Sequence, residues 1–133
     1  MNSNYLNEYA KSADGNTFFD GQPITELQRE LIAAVDEYGV KWAERAFEHD
    51  VNASFPTENY EDLKQMGFLA LCVPKRLGGL GADYRTYMLV ASRIAYYCGS
   101  TANTFNMHNA NALWTADMVD GMVNPVVSVK VVG

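Results

Sequence analysis

The feature that most constrains this chain is a row of apolar residues that recurs at helical spacing between residues 27 and 42. Successive members are four, four, three and four residues apart, which places them on one face of an α-helix. Just ahead of them, Thr25 and Gln28 have the Thr-x-x-Gln spacing of a capping box, which satisfies amide donors at a helix start. We therefore predict a long amphipathic helix that ends within 48–51. Its predicted inward residues are Leu27, Leu31, Val35, Tyr38 and Trp42.

Three more helices are predicted downstream. Thr57 is the expected N-cap of the second helix, and Gly67 suits the left-handed position just after its end. Asp83 is expected to cap the third helix. Gly99 should break that helix, and Ser100 should cap the fourth. The predicted inward residues are Tyr60, Leu63 and Met66 in the second helix and Tyr84, Tyr87, Met88, Ala91, Ile94, Ala95 and Cys98 in the third.

These patterns predict an all-α fold with one helical domain. The chain has 133 residues, enough for one domain and too few for two ordinary ones. Residues 1–22 are polar and Gly/Asn-rich, so we expect a flexible arm there. The four main helices fall within 23–121. Residues 122–133 switch to β-branched side chains, which predicts a short strand without a partner. We interpret that ending as the result of a truncation or a frameshift.

Composition excludes several classes of function. The formal net charge is -6, so the basic surface that binds nucleic acid or an anionic membrane is absent. No apolar run reaches the roughly 20 residues that span a bilayer, and no secretory signal begins the chain. Cys72 and Cys98 lack metal-site spacing, so we predict buried reduced thiols, no metal site and a cytoplasmic location.

Three motifs, in order, resemble the acyl-CoA dehydrogenase family. Phe55-Pro56 and the segment 60–68 (YEDLKQMGF) resemble its Phe-Pro followed by a helix that ends in Leu-x-x-x-Gly-Leu/Phe. The segment 73–81 (VPKRLGGLG) is similar to its Val-Pro-Glu-x-Tyr-Gly-Gly-x-Gly loop. The segment 100–102 (STA) resembles the Ser-Thr-Ala that opens the next helix. The likeness extends over roughly 90 residues, from Thr25 to Asp117.

The resemblance implies the N-terminal helical domain of a flavin-dependent oxidoreductase. In complete members FAD lies mainly between a middle β domain and a C-terminal helical bundle, and that bundle usually carries the glutamate base. The complete protein would be a homo-oligomer that removes an α-proton and a β-hydride from an acyl-CoA. This chain alone would supply pocket wall and subunit contacts, hold no catalytic residue and bind no FAD. Lys75 and Leu77 depart from the family's acidic and aromatic residues, which leaves the subfamily open.

The resemblance also places candidate substrate-binding residues on the fourth helix, which lines the acyl pocket in the family. They are Asn103, Thr104, Met107 and Asn111. Spacing of four residues puts Asn103, Met107 and Asn111 on one helical face, but the same face would also suit packing on a missing domain. Two amides are unusual against a plain acyl chain, because a buried unpaired amide costs about 1–3 kcal/mol. They favour the flavin-dependent monooxygenase relatives as the alternative.

Other features have plainer interpretations. His108 has no supporting partner at a telling spacing, so we assign it no catalytic role. His49 is interpreted as a favourable charge at the end of the first helix. The glycines at 78, 79 and 81 match no phosphate-binding motif and are expected to permit close packing. A stand-alone helical interaction module, without chemistry, remains an alternative for the whole chain. Its outer faces should then be polar.

Overall fold

The computed structural model describes the backbone of residues 23–123 and the side chains of residues 23–118. It contains four α-helices, α1 (Glu26–Val51), α2 (Thr57–Gln65), α3 (Tyr84–Tyr97) and α4 (Gly99–Val123). Two short 3₁₀ helices, Phe68–Ala70 and Lys75–Leu77, separate α2 from α3. No strand occurs within the described residues, and the all-α prediction is confirmed. The predicted arm and the predicted terminal strand lie outside them.

Helix α3 is the centre of the packing, because it contacts both α1 and α4. Trp42 is fully buried in the shared core, and its indole N–H donates to Asp62 Oδ2 at 2.9 Å. Arg45 donates to the same oxygen at 3.0 Å, which ties α1 to α2. A buried tryptophan needs such a partner for its one donor. The core consists of Val35, Trp42, Leu63, Phe68, Leu71, Cys72, Tyr87, Val90, Ile94, Cys98, Ala102 and Phe105.

The start of α1 has the predicted capping box. Gln28 N donates to Thr25 Oγ1 at 3.2 Å, and Thr25 N donates to Gln28 Oε1 at 3.0 Å. The side-chain Nε2 of Gln28 also donates to Thr86 Oγ1 on α3 at 2.9 Å, and Gln28 is buried. The prediction that Leu27 lies inward is wrong, since its side chain is 57% exposed. Gln28 occupies the buried place because its hydrogen bonds hold it there.

The start of α2 differs from the prediction. Pro56 is the N-cap and makes no side-chain capping bond, while Thr57 is the first helical residue. The Thr57 hydroxyl donates to the carbonyl oxygen of Phe55 at 3.4 Å, so it does not cap the helix. Proline has no backbone N–H, so no donor at this position is left without a partner. The predicted end of α2 is confirmed, because Gly67 follows the C-cap with a φ of 74°.

The start of α3 has the predicted cap, with Asp83 Oδ1 accepting from Thr86 N at 2.8 Å. Two residues of the predicted inward row, Tyr84 and Ala95, are exposed, and that part of the prediction is wrong. Leu89 and Val90 are buried instead. Because α3 packs between two helices, its buried arc is wider than one row and is rotated towards these two residues.

The break between α3 and α4 lies one residue earlier than predicted. Cys98 has an extended backbone, with φ -154° and ψ 107°, and Gly99 is already the first residue of α4. Ser100 therefore lies inside the first turn of α4 and does not precede it. Cys98 itself is buried in the core, so the side chain at the break is anchored by packing.

Candidate functional site

The outer face of α4 carries the predicted site residues. Asn103, Met107 and Asn111 are all exposed and share one face, with Met107 59% exposed. Thr104 is half-buried, and its hydroxyl donates to the carbonyl oxygens of Ser100 at 3.2 Å and Thr101 at 3.0 Å. The Thr104 hydroxyl thus has its hydrogen-bond partners within its own helix, whereas the other three residues present their side chains to solvent.

Exposed apolar side chains lie on the same face of α4. Trp114 is 69% exposed and Met118 is 56% exposed. Both lie within about 60° of Met107 around the helix axis. Large apolar side chains grouped on one open face indicate a surface that meets a ligand or another protein. The face is therefore not the polar one expected of a stand-alone module.

A groove of about 310 Å³ lies between α4 and the segment 73–77. Asn111 is the one predicted site residue among those that line it, and none of the others was predicted from the sequence. The Val-Pro motif at residues 73 and 74 was visible in the sequence, but its approach to α4 depends on tertiary packing. The groove is lined by Val73, Pro74, Leu77, His108, Asn111, Ala112, Thr115 and Ala116.

His108 sits in this groove with its ring held on two sides. Its Nε2 lies 2.7 Å from the carbonyl oxygen of Leu69, and its ring meets the ring of Tyr60 edge-on at 6.3 Å between centroids. These contacts join α4 to the first 3₁₀ helix and to α2. They hold His108 in the packing between these elements.

The glycine-rich loop folds back on the segment before it. Gly79 packs so closely that an added Cβ would lie 2.1 Å from the carbonyl oxygen of Val73. Gly78 and Gly81 have φ values of 85° and 64°, in the left-handed region that glycine adopts readily. The amide of Gly81 donates to Val73 O at 2.9 Å and that of Gly79 to Pro74 O at 3.2 Å. These bonded amides are not free to cradle a phosphate, and the close-packing interpretation fits.

A polar cluster joins the end of α1 to the start of α2. His49 Nδ1 lies 2.8 Å from Ser54 Oγ, and its Nε2 lies 3.2 Å from Glu58 Oε2. A backbone hydrogen bond and the nearby His49 lower the pKa of Glu58. His49 lies in the last turn of α1, as the sequence suggested. The cluster borders a cleft of about 280 Å³ and links the two helices by polar contacts.

Both cysteines are free and buried, which confirms the prediction that they lie in the interior. Desolvation, with a smaller effect of Asp83, raises the pKa of Cys72 to about 11. Among the side chains of residues 23–118, no cluster of three His, Cys, Asp or Glu could hold a metal ion. Over the same range, no helix has the length and apolar character needed to cross a membrane.

Comparison with known proteins decides the family. The sequence profile described as "Acyl-CoA dehydrogenase, N-terminal domain" matches residues 25–118. The chain belongs to the acyl-CoA dehydrogenase family. The match covers α1, α2, α3 and most of α4, together with the glycine-rich loop, so the described fold is that of this N-terminal domain. No solved structure matches the chain significantly.

Similar proteins include both dehydrogenases and monooxygenases. A dibenzothiophene monooxygenase of Mycolicibacterium goodii is 39% identical over 88 residues, which is 66% of this chain and 19% of that protein. A cyclohex-1-ene-1-carbonyl-CoA dehydrogenase of Syntrophus aciditrophicus is 38% identical over 80 residues, which is 59% of this chain and 19% of that protein. A probable FMNH2-dependent monooxygenase of Pseudomonas putida is 28% identical over 87 residues, 65% of this chain and 22% of that protein.

The chain thus spans about a fifth of the length of the curated relatives it matches. Of these relatives, the one from Pseudomonas putida is named as FMNH2-dependent. The groove beside α4 does not fit the phosphates of a flavin nucleotide, since no lysine or arginine lines it. Its apolar lining, with the amide of Asn111 and the hydroxyl of Thr115, fits an uncharged part of a ligand.

Proposed function

We propose that this domain supplies one wall of the substrate pocket in a flavin-dependent oxidoreductase. The observation that carries the proposal is the open face of α4, where Met107, Trp114 and Met118 are exposed beside Asn103 and Asn111. Its apolar area would cover the uncharged part of a substrate, and Asn103, Thr104, Met107 and Asn111 are the proposed contacts. The general base and the FAD would belong to other parts of a complete, homo-oligomeric, cytoplasmic enzyme.

The leading reaction is the α,β-dehydrogenation of an acyl-CoA. The wall would hold the acyl chain extended, so that its α- and β-carbons stay in a fixed position relative to groups outside this chain. The shape of the groove supports this role, because it runs along α4 and is lined mainly by apolar side chains. Thr115 and Asn111 would contact the polar end of the acyl group.

A monooxygenase reaction is the second candidate. It is favoured by the exposed amides of Asn103 and Asn111, which suit a substrate with its own polar atom. Relatives named as dibenzothiophene monooxygenases, at 39% and 34% identity, support the same branch. An aromatic ring would then contact Trp114 and Met107, where stacking and sulfur–aromatic contacts favour flat ligands.

A hybrid enzyme separates the two reactions. Residues 25–118 replace the matching segment of the Syntrophus dehydrogenase in one hybrid and of the Mycolicibacterium monooxygenase in another. Under the leading proposal, the dehydrogenase hybrid keeps turnover and the monooxygenase hybrid loses it; the reverse result selects the second candidate. If both hybrids fold, bind flavin and turn over their substrates equally well, residues 25–118 do not form a pocket wall.

A further inference from the structure

A second apolar surface lies on α1, away from the groove. Val40, Phe47 and Val51 are 57%, 78% and 65% exposed. They are seven and four residues apart, which places them in one row along the helix. We call these three residues the outer α1 stripe. No other described part of the chain covers this row.

The outer α1 stripe is separate from the core face of the same helix. Val35 and Trp42 are fully buried, and Val40 and Phe47 follow them by five residues each. Five residues correspond to a rotation of about 140° around an α-helix. Helix α1 therefore has two apolar faces, and the inner one alone accounts for its packing on α3. The contacts of α1 with α2 are made by Trp42, Arg45 and His49, so the described packing does not use the second apolar face.

Acidic side chains border the stripe. Glu37, Glu44 and Glu48 are exposed and lie on one side of it, within about 80° of its centre. Lys41 is the base nearest to that border, and Asp50 lies on the other side. Glu48 and Asp50 fall in the last turn of α1, where the helix dipole disfavours negative charge. Helix stability does not account for this placement, whereas a basic partner would.

We propose that the outer α1 stripe is a docking surface for an amphipathic helix whose apolar row is bordered by lysine or arginine. The stripe runs from Val40 to Val51, about 16 Å along the axis, which matches about three turns of a partner helix. Its row of side chains can pack into the groove of such a helix. The acidic border attracts cationic side chains and repels the same face of a second copy of this chain.

The test measures binding of a synthetic peptide to the full chain. The peptide is a helix former with leucines three and four residues apart and lysines on both borders of the leucine row. A control peptide has the same composition in scrambled order. Fluorescence anisotropy is expected to show about tenfold tighter binding of the patterned peptide, weakening as salt increases. Equal affinity for the two peptides would overturn the proposal, because charge alone would then explain binding.

Substitutions on α1 test whether the peptide binds at the outer α1 stripe. Phe47→Ser and the pair Glu44→Lys with Glu48→Lys are each expected to weaken the patterned peptide about tenfold. These side chains are exposed, so circular dichroism should remain that of the parent chain. Tyr84→Ser, which removes a 67% exposed aromatic ring from α3, should leave binding unchanged. Unchanged binding by Phe47→Ser, or a dimer in sedimentation that Phe47→Ser abolishes, would contradict the proposal.

Discussion

Single residues decide how the loop before α3 closes. Gly79 has no room for a side chain, because the carbonyl oxygen and the Cβ of Val73 would lie 2.1 and 2.4 Å from an added Cβ. Gly99, by contrast, has no atom within 4 Å of such a Cβ. That the three clustered glycines permit close packing could be predicted from the sequence. Gly79 could not be singled out among them, because the contact with Val73 forms only when the loop folds back.

Gly79→Ala is expected to lower the free energy of unfolding by about 1–3 kcal/mol, because the new methyl group forces the backbone of Val73 to move. Urea unfolding of the full chain measures the change. Gly99→Ala is the matched control and should cause no loss, since alanine favours the helix that begins there. Equal losses in the two variants would show that the close contact is not what restricts position 79.

The Cys72 thiol is expected to be unreactive in the folded chain. Its pKa is raised to about 11 by desolvation, from an ordinary value of 9.0, so its thiolate fraction near pH 8 falls about a hundredfold. Mass spectrometry after iodoacetamide treatment should therefore find Cys72 modified about a hundredfold more slowly in the folded chain than in urea. Similar rates in both conditions would mean that the thiol is accessible.

At the scale of helices, caps show what a sequence can and cannot reveal. Thr25 was predicted correctly because both halves of its capping box are local in sequence. Thr57 was predicted wrongly because Pro56 and Thr57 are both plausible starts, and the choice depends on how α2 leaves the turn after α1. Tyr84 and Leu27 were misplaced for a related reason, since burial near a helix end depends on the neighbouring helix.

The two threonines should differ sharply in their effect on stability. Thr25→Ala removes one hydrogen bond of the capping box and is expected to cost about 0.5–2 kcal/mol. Thr57→Ala removes only an exposed hydroxyl that makes a long bond, and should cost less than about 0.5 kcal/mol. Thermal or urea unfolding of the two variants compares them directly. A larger loss for Thr57→Ala would restore Thr57 as the cap of α2.

The cap of α3 should make stability depend on pH. Hydrogen bonds from the side chain and backbone of Thr86 lower the pKa of Asp83 below its ordinary value of 3.8. A depressed pKa in the folded state contributes stability above pH 3.8, and that stability is lost as the pH falls towards the folded value. Asp83→Asn keeps a capping side chain without a charge. The free energy of unfolding of the variant should therefore fall less than that of the parent chain between about pH 6 and pH 3. Identical plots of this free energy against pH would rule out Asp83 as the source of the pH dependence.

At the scale of the whole molecule, the surfaces that helices leave exposed are harder to predict than the helices themselves. The four helices and their order follow from periodicity and caps. The groove does not, because tertiary packing is what brings Val73 and Leu77 to line it together with α4. The open face of α4 and the outer α1 stripe are also tertiary features. Local sequence gives a helix two apolar rows, but packing decides that α3 covers one of them.

The most direct test of the pocket wall uses whichever hybrid enzyme turns over its substrate. Met107→Ala is expected to raise KM about tenfold with little change in kcat, because it removes an apolar contact with bound substrate. Phe47→Ala, which truncates a side chain on the outer face of α1, is the control and should leave KM unchanged. If Met107→Ala gives the KM and kcat of the control, the open face of α4 does not touch the substrate and the central claim is wrong.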